Sequence, residues 1–187
     1  MTTSTTGDQL KVGVNFPITQ PALDACLRIN STISTMTDGL ISFGPSGTSS
    51  PHVTVAMGTI FRNDLDRVVN ALGRAVTKLD GAVVMRFGTP YRESLTGRYI
   101  MVDVDLGTSN TRWRNQTRDL LTPLFVEAAR TSDEAHLTLG LVESKYEAVV
   151  LALDSAPAIP SCAVDRLHVS LSGRKGVKSA VLAEVPI

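Results

Sequence analysis

Apolar residues along this chain keep two rhythms that take turns. Leu10 to Phe16 alternates apolar with polar or small residues, the period-two mark of a half-buried strand. Thr19 followed by Pro21 reads as a helix start, since proline is tolerated in a first turn. Leu23, Cys26, Leu27 and Ile33 give that helix an apolar stripe. The Gly- and Ser-rich stretch Gly44 to Ser50 is a loop, and Pro51 leads into a strand opening at His52. The next helix is the most clearly patterned. Leu65, Val68, Val69, Leu72, Val76 and Leu79 share a face, Asp64 and Asp66 stand in the first turn, and Gly81 closes it. Ala82 to Phe87 and Arg98 to Leu106 are strand-like, and Gly88, Pro90, Arg92 and Glu93 between them predict a hairpin. Thr111 to Arg130 is helical in spacing, with Leu120, Leu121, Leu124, Phe125 and Ala128 as its core face and a kink at Pro123. His136 to Val142 reads as a strand. Ser144 with Glu147 predicts a capping box for a short helix through Leu153, ended by Pro157 and Pro160. Cys162 to Leu171 and Val177 to Val185 read as strands around the turn Gly173-Arg174-Lys175-Gly176.

Read as an order, strand, helix, strand, helix occurs early and again later, with no linker between. A duplicated unit of this kind predicts an α+β fold of two lobes. Each has an antiparallel sheet with helices outside, and the lobes face one another across a central cleft. At 187 residues the chain is expected to form one domain, with residues 1–8 a disordered tail.

Composition narrows the function. Lys plus Arg equals Asp plus Glu at 18 each. That argues against broad binding along a nucleic-acid backbone, which needs a basic excess, and leaves room for a small anion or an RNA end. Cys26 and Cys162 stand in apolar contexts and read as buried free thiols. No Cys/His cluster has zinc spacing. The N-terminus lacks a basic start and an apolar run, so the expectation is that it is not a secretory signal. No apolar run is long enough to span a bilayer. A soluble, cytoplasmic, monomeric protein is the expectation.

The chemistry comes from the histidines. There are three, and each opens the same tetrapeptide: His52-Val53-Thr54-Val55, His136-Leu137-Thr138-Leu139 and His168-Val169-Ser170-Leu171. From composition, all three matching by chance is about one in ten thousand. On a strand, His and Thr project from one face and the two apolar residues from the other. Two such motifs across a cleft suit phosphodiester cleavage. One neutral imidazole takes a proton from the attacking group, the other gives one to the leaving oxygen, and the hydroxyls bind the phosphate oxygens. A single strand histidine is more often structural, and Thr and Val are simply good strand formers; it is the pairing that carries the weight.

With these motifs, and with the opening strand Lys11-Val12-Gly13-Val14-Asn15-Phe16-Pro17, the chain resembles the 2H phosphoesterase superfamily, in its 2′-5′ RNA ligase and RNA cyclic phosphodiesterase branch. The resemblance implies a bilobal, pseudo-twofold α+β fold. It implies a metal-independent activity without cofactor on a 2′,3′-cyclic-type or 2′-5′ phosphodiester of a small nucleotide or RNA terminus. The family's chain order places the catalytic roles on His52, Thr54, His136 and Thr138. His168 and Ser170 stay open as the alternative second motif, or as substrate contacts together with Arg98 and Tyr99. The chain departs from the family's usual pattern at Ala56-Met57-Gly58 and at Gly140-Leu141-Val142. Arg112, Trp113 and Arg114 offer stacking and charge for a base or phosphate, or simply a solvated helix start with one buried Trp. Lys175 and Lys178 read as turn and edge-strand charges. A noncatalytic nucleotide- or RNA-binding module on the same fold is the alternative function.

Overall fold

The protein is described by a computed structural model at residues 8–37, 41–173 and 177–187. The expected N-terminal tail up to Gly7 and the turn residues Arg174, Lys175 and Gly176 lie outside them. The chain runs β1 (Gln9–Pro17), α1 (Ala22–Met36), β2 (His52–Phe61), α2 (Leu65–Val76), β3 (Val83–Phe87), β4 (Tyr91–Arg92) and β5 (Tyr99–Asp105). It continues through α3 (Thr108–Leu121), β6 (Glu127–Ala128), β7 (His136–Leu141), α4 (Tyr146–Leu153), β8 (Cys162–Val164), β9 (Arg166–Ser172) and β10 (Lys178–Pro186).

The strands form an antiparallel ladder in the order β10-β9-β1-β2-β7-β5-β3-β8, with β4 beside β5 and β6 beside β2. The ladder divides at β2 and β7, which are joined at the single pair Val53–Leu137. On one side lies β1-α1-β2-α2, on the other β5-α3-β7-α4, so the repeated order expected from the sequence is present as two half-sheets. The two expected sheets are therefore halves of one curled ladder. The curl follows from chain connectivity. β8 ends at Val164 and β9 begins at Arg166, yet they sit near opposite ends of the ladder. Two residues span at most about 7 Å, so the ladder bends back on itself.

Alternation decides which face is buried. Val12, Val14 and Phe16 of β1, Val53 and Val55 of β2, and Leu137 and Leu139 of β7 are fully buried. The helices close the core in a crossed manner: α1 packs on β7 and α4, whereas α3 packs on β2 and α2. Each crossing carries a buried polar anchor. Asn30 of α1 donates to the carbonyls of Leu139 (2.7 Å) and Ile41 (2.9 Å). Arg114 of α3 donates to the carbonyl of Thr54 (2.9 Å). Gly140 on β7 allows the α1 contact, since a Cβ there would meet Ile33 Cγ2 at 3.0 Å.

Four expectations need correction. The helix from Thr111 to Arg130 stops at Leu121; Thr122–Leu124 is a short 3₁₀ turn and Glu127–Ala128 joins the sheet. Pro123 has no N–H to continue the ladder, and Phe125 packs instead against Gly58, where a Cβ would collide with its ring. The buried face of α3 is accordingly Trp113, Arg114, Thr117 and Leu121, while Leu120 and Ala128 are exposed. Ser144 does not cap α4, whose first turn is entered through Lys145 in a left-handed conformation (φ 60°) with no side-chain cap. Cys162 to Leu171 is two strands broken at Asp165. Cys26 and Cys162 are buried free thiols, and burial pushes the Cys26 thiol up to about 12. Among the described residues no helix is long and apolar enough to cross a membrane.

Candidate active site

Because Val53 faces Leu137 in an antiparallel pair, one residue either way sets His52 across from Thr138 and Thr54 across from His136. The two His-x-Thr motifs are thus related by a local twofold axis through that pair. Their histidines are diagonal neighbours, with Cα atoms roughly 7–8 Å apart and Cβ atoms somewhat closer, a span that fits one phosphate between two imidazoles.

All four side chains line a single cavity of about 520 Å³. Tyr99 and Met101 of β5, with Phe43, Ile41 and Leu95, form an apolar wall; Lys11 and Arg130 stand at the rim. A volume in the range of ordinary small-ligand pockets leaves room for a nucleotide beside the phosphate.

Each imidazole is oriented by the backbone two residues upstream. His52 Nδ1–H donates to the Ser50 carbonyl at 2.7 Å, and His136 makes a backbone hydrogen bond with Glu134. With Nδ1 carrying the proton, neutral His52 keeps its lone pair on Nε2. Burial pushes His52 down to about 4; Lys178 and His136 nearby also disfavour its charged form, and the Ser50 bond opposes them. Burial also lowers His136, with Arg114 adding to the effect and the Glu134 bond and Asp103 opposing it. Among the described residues, neither the Thr54 nor the Thr138 hydroxyl has a hydrogen-bond partner within the protein, so both are available to a ligand.

The remaining candidates divide. Tyr99 lines the cavity; Arg98 is exposed and is not among the lining residues. His168 and Ser170 are on the same face of the sheet but outside the cavity lining. Asn15 of β1 pairs with both Thr54 and His168. That puts His168 two strands from Thr54, about 10 Å away. His168 Nδ1 is 2.7 Å from Lys178 Nζ, and its Nε2 is 3.2 Å from Glu184 Oε1. Ser170 Oγ is buried without a partner. Lys178 is buried rather than an edge charge, because it turns inward to His168.

Of Arg112, Trp113 and Arg114, which lie within α3 rather than at its start, Trp113 is buried, donates to the Ala75 carbonyl at 2.8 Å and packs on Phe16, so it offers no face to a base. Arg114 does line the cavity, but its guanidinium is spent on the protein. It donates to the carbonyls of Thr54, Ser132 and Asp133 and to Asn115 Oδ1, at 2.9 to 3.1 Å. It ties the first motif to the loop before the second. Its role could have been suspected from the sequence, since Trp113, Thr117 and Leu121 recur every four residues and Arg114 flanks that buried stripe. Among the described residues no group of three His, Cys, Asp or Glu side chains could hold a metal ion.

No family model matches the sequence, and no curated protein matches it. Solved structures do. The chain is similar to TT0787 of Thermus thermophilus, with a TM-score of 0.65 and 14% identity over 95% of this chain and 97% of that one. It is similar to E. coli LigT complexed with 3′-AMP, with a TM-score of 0.58 and 14% identity over 96% and 99%. It is also similar to the MHV ns2 PDE domain, with a TM-score of 0.50 and 16% identity over 93% and 99%. The fold of this chain, over nearly its whole length, is the bilobal α+β fold of the 2H phosphoesterases.

Proposed function

We propose that this protein, as a single 2H phosphoesterase-like domain, is a metal-independent phosphodiesterase. Its substrate is a cyclic phosphodiester of the 2′,3′ type, or a 2′-5′ linkage, in a small nucleotide or at an RNA end. The observation that supports this best is the twofold juxtaposition of His52, Thr54, His136 and Thr138 in one cavity. A binding module has no need of two proton-transfer groups disposed about one point. In a hydrolytic cycle, one neutral imidazole takes a proton from water as its oxygen attacks phosphorus. The P–O bond to the leaving oxygen breaks, and the second imidazole, protonated, supplies that oxygen's proton. Thr54 and Thr138 donate to the two nonbridging oxygens, where charge is concentrated. That E. coli LigT has been solved with 3′-AMP and with phosphate agrees with a small nucleotide as ligand.

The test is a turnover screen in EDTA over 2′,3′-cyclic mononucleotides, cyclic-phosphate-ended oligoribonucleotides and 2′-5′ dinucleotides. Cleavage of at least one class, lost in both His52→Ala and His136→Ala, is the expected result. Binding of these compounds without turnover at any pH would establish the noncatalytic module instead. Activity abolished by chelation and restored by a divalent ion would refute the metal-independent route.

A further inference from the structure

The local twofold leaves the two histidines chemically equivalent, yet acid–base catalysis needs them unequal. What breaks the symmetry lies outside the motifs. Cross-strand pairing runs one row of residues over six strands: Asp103 beside His136, then Thr54, Asn15, His168 and Glu184. The row ends in a carboxylate on both sides, but what lies between each carboxylate and the motif pair differs. Beyond His136 is a carboxylate, Asp103, which also accepts a hydrogen bond from the Tyr91 hydroxyl at 2.7 Å. Beyond Thr54 is the third His-x-Ser motif, and it holds a cation.

The polarity of that motif is fixed by its partners. An ammonium only donates, so Lys178 Nζ donates to His168 Nδ1 at 2.7 Å, and the ring proton sits on Nε2, 3.2 Å from Glu184 Oε1. His168 is therefore a neutral clamp. It turns the Lys178 ammonium into the protein, where only 4% of the residue is exposed. A second connection runs from the same residue to His52. Lys178 N–H donates to Ser49 Oγ at 3.0 Å, Ser49 Oγ donates to the Ser50 carbonyl at 3.4 Å, and that carbonyl receives His52 Nδ1–H at 2.7 Å. Ser49 lines the cavity beside His52.

We propose that Lys178, clamped by His168 and Glu184 and joined to the His52 ring through Ser49 and the Ser50 carbonyl, is a positioning residue that makes the two histidines unequal: it sets His52 as the general base, while Asp103, across from His136, sets that ring as the general acid. This assignment deepens the phosphodiesterase reading and, for its catalytic part, rests on it.

The charges facing each ring agree. Burial is the larger cause of neutrality at both rings; in addition His52 is faced by Lys178 and His136, both disfavouring its protonation. His136 is faced by Arg114 from α3, which disfavours its protonation, and by Asp103 from β5, which favours it. Glu184 also binds Arg166, which binds Asp165; all three are exposed, and together they carry one net negative charge facing the Lys178 ammonium. Lys178 is the buried member of that group. Burial lowers it to about 8, opposed by Glu184, so it is still a cation at neutral pH.

The assignment is tested by following the three imidazole resonances by NMR between pH 3 and 9. In the wild-type protein His52 should titrate below His136. It should also show a second, smaller inflection near pH 8 as Lys178 loses its proton. In Lys178→Met the His52 titration should move up by about half a unit or more, with His136 unmoved. In Asp103→Asn, at an exposed position, His136 should move down and His52 stay. Where turnover is measurable, Lys178→Met should raise the acid limb of kcat/KM and Asp103→Asn should lower its alkaline limb. A His52 resonance that ignores Lys178, in the wild-type titration or in folded Lys178→Met, overturns the proposal. So does His52 titrating above His136. If Lys178→Met does not fold, the wild-type inflection and Asp103→Asn still decide. The expected titrations without any turnover would uphold the positioning role and sink the phosphodiesterase reading alone.

Discussion

Replacing Arg114 by methionine should lower the melting temperature by roughly 6–12 °C. Methionine keeps most of the buried stem and removes the guanidinium. Four acceptors then lose their donors: the carbonyls of Thr54, Ser132 and Asp133, and Asn115 Oδ1. Ser132 and Asp133 are exposed residues, so water replaces most of what they lose. The Thr54 carbonyl, on a central strand, is the costly one. An unsatisfied buried acceptor costs about 1–3 kcal/mol, and a lost bond with water access about 0.5–1.5. The total is about 3 kcal/mol, and a domain of 150–250 residues loses about 2–4 °C per kcal/mol. Thermal unfolding followed by far-UV circular dichroism, with urea melts as a cross-check on two-state behaviour, measures it. Arg114→Lys restores the charge at a single point but cannot span the fork, so it should recover less than half of the loss. A drop below about 3 °C in Arg114→Met, or a lysine variant that matches wild type, would show that the fork does not tie the motif strand to the 130–133 loop.

Four further outcomes are expected. His52→Ala and His136→Ala should each lower turnover at least about a hundredfold; a variant within tenfold of wild type by initial rates removes that histidine from the chemistry. Thr54→Val and Thr138→Val should each cost about 1.5–3 kcal/mol of transition-state binding, roughly 10- to 150-fold in kcat/KM. Unchanged kcat/KM in both would mean the hydroxyls do not reach the phosphate. All three histidines have folded-state pKa values below the unfolded 6.5. The unfolded chain therefore binds more protons as the pH falls below 6.5, and stability should fall between pH 6.5 and about 4. Urea midpoints flat across that window would contradict their burial. Gly58→Val should destabilise by more than about 1–3 kcal/mol, the usual cost of overpacking, because a Cβ there meets the Phe125 ring and, at 2.8 Å, the Glu127 carbonyl; a wild-type melting temperature would refute that packing.

How much of this was legible depends on range along the chain. The strands at His52 and His136 and helix α2 could be read because alternation and helical spacing are local signals. So could the order that repeats them, and with it the two half-sheets. Thr111 to Arg130 misled because helical spacing of leucines persists past Pro123 while the partner of Phe125, Gly58, lies far away in sequence. The break at Asp165 is a single residue wide, and the pair Asp165-Arg166 brings no glycine or proline to mark it. Arg114 flanks a stripe legible in the sequence, but the three backbone carbonyls that hold it lie 18 to 60 positions away, so it read as a ligand contact or a solvated charge. The third motif was conspicuous, but its distance from the cavity is set by the register of β9 on β1, which pairs residues more than 150 positions apart.

The crossing of α1 onto β7 and of α3 onto β2 has a consequence for the chain as a folding unit. Each half hands its first helix to the other. A cut in the 77–82 connection would leave an amino-terminal piece whose helix α1 has lost the strand it covers, and a carboxy-terminal piece with α3 in the same position. Neither piece encloses its own His-x-Thr strand, so each is incomplete without the other, and folding of the two halves is one event rather than two. Asn30 and Arg114 are the buried grips of that exchange.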